Sequence, residues 1–140
     1  MITVIHVLCS QDLYVRYEAM FTLRNLGGDD ATLSLCRALR EDCSSDCLRH
    51  EVAFVLGQME NEEATAVLIE KLEDRKEHPV TRHEAAIALG AMAADGPAKG
   101  ALQKGLDDSE PMVHESCAAA LATMAYWAAW EAEEARIAAL

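Results

Sequence analysis

Arg82-His83-Glu84-Ala85-Ala86-Ile87-Ala88-Leu89-Gly90-Ala91-Met92 repeats, with small changes, a string 33 residues upstream, Arg49-His50-Glu51-Val52-Ala53-Phe54-Val55-Leu56-Gly57-Gln58-Met59. Two looser copies flank them: Arg16-Tyr17-Glu18-Ala19-Met20-Phe21-Thr22-Leu23-Arg24-Asn25-Leu26, and Val113-His114-Glu115 running on to Met124. Their glutamates, at 18, 51, 84 and 115, are 33, 33 and 31 residues apart. Within each copy the apolar residues recur at i, i+3, i+4 and i+7, as in Val52, Val55, Leu56 and Met59. That is the period of a helix with one buried stripe.

Each repeat has room for a second helix ahead of this one. The sequence predicts first helices at 31–40, 62–73 and 97–106, with a truncated one at 1–9. The Glu-bearing helices are predicted to begin near Asp12, Asp46, Pro79 and Ser109–Pro111, where Asp and Ser suit an N-cap and Pro a first turn. Short polar turns at Glu41–Ser45, Asp74–His78 and Asp107–Ser109 join the two helices of a pair. Gly27-Gly28, Asn61 and Asp95-Gly96 separate one pair from the next. Paired helices at this period describe an all-α solenoid of about four helical hairpins, each burying its apolar face on its neighbours. The repeats run approximately over 1–28, 29–60, 61–94 and 95–125, in a single domain that ends in a C-terminal helix to 140. That tail carries Trp127 and Trp130. They are expected to cap the last repeat, the other reading being an exposed patch.

Composition agrees with helix and excludes other classes. Of the 140 residues, 51% are hydrophobic and 5% aromatic, and Ala, Leu, Glu and Met abound. The chain is too apolar for disorder. No apolar run approaches the ~20 residues of a membrane span, so no membrane role is expected. Residues 1–6 lack the basic region of a secretory signal. With 12 Lys+Arg against 24 Asp+Glu, the net charge of −12 argues against nucleic acid and suits a basic partner, or serves solubility alone. Five cysteines, an odd number, with no signal sequence predict free thiols in a reducing, cytoplasmic setting. Cys36 and Cys117 fall within apolar helical patterns and are expected in the core. Cys43, Cys47 and His50 are spaced like part of a zinc site but lack a CxxC pair.

The His-Glu pairs carry the chemistry. Equivalent positions on the second helices form a row, one per repeat, at the helix packing distance of about 8–10 Å. His50 and His83 can therefore share one metal ion. With a glutamate they make a set of two imidazoles and a carboxylate, which favours Fe(II) and oxygen chemistry. The competing reading is a solvated face on which Arg16, Arg49 and Arg82 pair with the neighbouring carboxylates. Tyr17-Glu18 shows that the position accepts a non-ligand, and His114-Glu115 is a third pair without the preceding Arg. His6 has no matched partner, and His78, before Pro79, is expected in solvent. No GxSxG, P-loop or dinucleotide-binding glycine pattern is present.

The strings Leu48–Gln58 and His78–Ala91, with Arg16–Asn25 and His114–Cys117, resemble deoxyhypusine hydroxylase, a HEAT-repeat di-iron monooxygenase, over about residues 12–122. The wording is most similar to that family's C-terminal half. The resemblance implies iron- and O2-dependent hydroxylation of the deoxyhypusine side chain of translation initiation factor 5A, with the di-iron centre between two similar halves. It also implies that His50, His83 and Glu84 ligate one iron. Glu51 is then a further carboxylate at the centre, catalytic, touching either metal or the substrate amine. Members of the family are about twice this length and carry four His-Glu motifs. The expectation is thus a fragment or truncated half, completed by the N-terminal half or by a second copy of itself. The alternative is a non-catalytic HEAT-like protein-interaction module.

Overall fold

A computed structural model describes Leu8 and residues 10–41, 45–92 and 96–140. Among these it contains seven α-helices, one 3₁₀ turn and no strand: α1 (Leu13–Leu26), α2 (Gly28–Glu41), α3 (Asp46–Met59), the 3₁₀ turn Glu62–Ala64, α4 (Thr65–Glu73), α5 (Pro79–Ala91), α6 (Pro97–Gly105) and α7 (Pro111–Ala138). The helix expected at 1–9, with His6 and Cys9, lies outside the described residues apart from Leu8. So do Cys43 and the middle of its turn, and Asp95.

The helices start where the sequence offers caps. The Asp12 carboxylate accepts from the Tyr14 amide at 2.9 Å, and Ser45 Oγ from the Leu48 amide at 3.1 Å. His78 is exposed as expected, and its Nδ1 also accepts from the Val80 amide at 3.2 Å, capping α5 ahead of Pro79. Gly27 ends α1 at φ 66°, a left-handed conformation that costs glycine nothing.

The fold is an all-α solenoid. The second helices α1, α3, α5 and α7 pack in series, and the first helices α2, α4 and α6 form the layer behind them. One continuous core runs between the layers through Met20, Leu35, Leu39, Leu56, Leu68, Leu89 and Leu102. Cys36 and Cys117 are buried in it, and that burial pushes both thiols up to about 11. The Leu-Gly of the repeated string has a packing cause. A Cβ built on Gly57 would lie 2.8 Å from Ala88 Cβ, and one on Gly90 only 2.6 Å from Ala120 Cβ. Glycine lets α3 meet α5, and α5 meet α7, backbone to backbone.

Each arginine of the repeated string is drawn inward. Arg82 Nε donates to the Leu72 carbonyl at 3.0 Å, at the end of the helix before it, and Arg16 Nε does the same to Leu8 at 2.9 Å. The Arg82 guanidinium also binds Asp108, in the turn of the next repeat, where Arg75 adds a bond of 2.6 Å. Arg49 reaches Glu77 in the same way at 2.8 Å, joined there by Lys71 at 3.0 Å. These ion pairs staple successive repeats together.

The tail departs from the expected capping. Nothing in residues 118–135 breaks a helix, so α7 runs straight past the stack. Every residue after Met124 is exposed, with Trp127 at 48% and Trp130 at 51%. No described helix is long and apolar enough to cross a membrane.

Candidate metal centre

With the arginines turned inward, the His-Glu residues are left along the outer row of second helices. Each sits in the first two turns of its helix, so the four side chains emerge at one level of the stack. The close approach at Gly57 and Gly90 then determines what they reach.

His50 Nε2, on α3, lies 3.2 Å from Glu84 Oε2, on α5. His83 Nε2 lies 4.0 Å from the same oxygen. Glu84 is therefore flanked by two imidazoles, one from its own helix and one from the preceding repeat, and is only 7% exposed. A carboxylate that deep needs a cationic or hydrogen-bonding partner. Glu51 is half-buried beside them, with Oε1 3.6 Å from His50 Nδ1. The four residues singled out from the sequence thus adjoin one another. As the side chains stand, no three described His, Cys, Asp or Glu residues are arranged to hold a metal ion. The donor set itself, two imidazoles and two carboxylates on one side of a stack, is of the type that suits a divalent transition metal.

The row extends in both directions. On α1, at the register of the histidines, Tyr17 packs on Phe21 and its hydroxyl lies 3.3 Å from Cys47 Sγ. Burial, then Cys47 and the charge of Glu51, push that hydroxyl above its ordinary range, so it stays protonated. Cys47 is exposed and bonded to Tyr17, and Cys43 lies outside the described residues, so the zinc reading gains nothing.

On α7, His114 is exposed and its Nδ1 donates to the Leu106 carbonyl at 2.6 Å, which ties it to the end of α6. A cleft of ≈ 440 Å³ between α5 and α7 is lined by His83, Ile87, Met112, Glu115, Ser116 and Ala119. Its floor holds a residue that the sequence pattern did not single out. Ser116, 5% exposed, stands 2.5 Å from His83 Nδ1. The available signal is its place directly after the third His-Glu pair, on the next helix of the row.

Residues 42–122 match the HEAT repeats family, and residues 15–41 match the PBS lyase HEAT-like repeat. Among solved structures, human deoxyhypusine hydroxylase in complex with glycerol is 43% identical, with a TM-score of 0.81, covering 89% of this chain and 43% of its own. The chain therefore spans less than half the length of that protein. No curated protein matches.

Proposed function

The chain belongs to the HEAT-repeat family, and from its likeness to deoxyhypusine hydroxylase we propose that it forms the C-terminal half of such an enzyme. The observation that carries this reading is the position of the Glu84 carboxylate oxygen, 3.2 Å from His50 Nε2 and 4.0 Å from His83 Nε2. In this reading His50, His83 and Glu84 hold one iron, and Glu51 supplies a carboxylate beside it. A second half of like composition, either an N-terminal half or another copy of this chain, holds the other iron across the interface. The iron pair supplies activation of O2 for hydroxylation of an aliphatic C–H bond in the substrate.

The remaining work falls to the protein. Glu51 stands clear of the inward ion pairs that involve Arg49 and is half-buried, so it can receive the ammonium group of a long alkyl-amine side chain such as deoxyhypusine. The net charge of −12 favours approach of the basic loop that would carry that side chain on translation initiation factor 5A. The setting proposed is cytoplasmic.

Mixing tests the reading. Combined with an N-terminal half, the chain should hydroxylate deoxyhypusine that neither piece turns over alone. Turnover by this chain alone as a monomer would refute the half-site reading.

The second reading is a HEAT-like module without catalysis, in keeping with the HEAT repeats match over residues 42–122. It predicts that the chain takes up no Fe(II) in either the presence or the absence of a second half.

A further inference from the structure

Ser116 lies inside α7, and its hydroxyl donates to the Met112 carbonyl, one turn back, at 2.6 Å. Buried serines satisfy themselves in this way and need no further role. The position of His83 is what adds one. With the hydroxyl proton on Met112, only lone pairs of Ser116 Oγ remain to face His83 Nδ1, 2.5 Å away. Nδ1 must then donate. In a neutral imidazole that leaves Nε2 without a proton, and Nε2 is the nitrogen turned toward Glu84.

We propose that Ser116 is a positioning residue for His83, fixing its proton on Nδ1 and presenting the bare Nε2 to the site. Metal-binding histidines are commonly held in this manner, with the other ring N–H given to a neighbouring acceptor. The device is built for one histidine of the pair. Ser116 follows Glu115 as Ala85 follows Glu84, so the helix packed against His50 offers Ala85 at the matching position, and a methyl group accepts nothing. His50 has no such acceptor on its neighbouring helix, and its Nε2 lies 3.2 Å from Glu84 Oε2. Of the two imidazoles, only His83 thus has its tautomer held by a neighbouring hydroxyl before any metal arrives. The relevance to metal rests on the proposed function, whereas the tautomer of His83 does not.

The test is two-bond ¹⁵N–¹H correlation of the imidazole rings in the full chain, metal-free, at about pH 8, above the ordinary imidazole range. His83 is expected as the Nδ1–H form, and His114, hydrogen-bonded to Leu106, as an Nδ1–H control. Ser116→Ala should move His83 to Nε2–H, the form free imidazole side chains favour, and leave His114 unchanged, while Ser116→Thr should restore Nδ1–H. An Nε2–H form of His83 in the parent overturns the proposal, and so does an unchanged His83 in Ser116→Ala. Anaerobic Fe(II) titration of the same samples examines the metal reading separately. Loss of the hydrogen bond from His83 to Ser116 should weaken binding by about 10- to 100-fold, and Ser116→Thr should recover it. A tautomer change with no Fe(II) uptake by any sample would sink the metal reading and leave the role of Ser116 toward His83 standing.

Discussion

Helices α3 and α5 carry nearly the same eleven residues, yet the structure holds the two copies differently. In α3, Arg49 is stapled to Glu77 and Lys71, and His50 leans on Glu84 with no hydroxyl behind it. In α5, Arg82 is stapled to Asp108 with Arg75, and His83 rests on Ser116. Both glycines meet an alanine at its Cβ and its backbone, Gly57 against Ala88 at 2.8 and 3.0 Å and Gly90 more tightly against Ala120 at 2.6 and 2.8 Å. In a solenoid the partners of a residue come from the next repeat, so the shared Arg-His-Glu acquires different chemistry from its successor.

The contrast can be broken first at the staples. Asp108 has a side chain 1% exposed and two arginines on it. Asp108→Ala should cost about 3–5 kcal/mol in urea unfolding, because it strands Arg82 in the interior. Burial pushes the Asp108 carboxyl up, but the hydrogen bonds from Arg82 and the Glu110 amide and the charges of Arg82 and Arg75 outweigh it and hold the group below its usual range. Glu77 is lowered similarly, its burial offset by Arg49 and Lys71. A lowered folded-state pKa stabilises above the ordinary carboxylate range, and that contribution is lost as pH falls through the folded value. Stability measured from pH 7 to 3 should therefore drop below about pH 4, and less steeply in Asp108→Asn. An unchanged slope would mean that the staple is not electrostatic.

Glycine contacts come next in size. Gly90→Ala should destabilise by about 1–3 kcal/mol, since the new methyl would lie 2.6 Å from Ala120 Cβ and 2.8 Å from its Cα, neither of which can swing aside. Gly57→Ala, facing Ala88 Cβ at 2.8 Å and Cα at 3.0 Å, should cost less. Equal costs in thermal unfolding would erase the difference between the two interfaces. The smallest effect is expected at His114, whose exposed bond to Leu106 makes His114→Ala worth about 1 kcal/mol or less in stability.

Much of this is readable from the sequence because it is periodic. The starts of α1, α3, α5 and α7 fall at or within a residue or two of the predicted Asp12, Asp46, Pro79 and Ser109–Pro111, since caps and prolines act locally. The adjacency of His50, Glu51, His83 and Glu84 follows from register alone. Three features are not readable. The arginines turn inward because their acceptors, Glu77 and Asp108, lie in turns whose position depends on the packed stack. Ser116 acquires a role only when α7 is set against α5. The two tryptophans suggest a capped end, but an Ala-rich string without a breaker carries them beyond it.

The central claim, that His50 and His83 jointly hold metal, is tested most directly by iron content. The protein, purified with added Fe(II) and desalted, is compared with His50→Ala, His83→Ala and His114→Ala. The account predicts iron in the parent and in His114→Ala, and its loss from both of the other variants. Equal iron in all four proteins would contradict it.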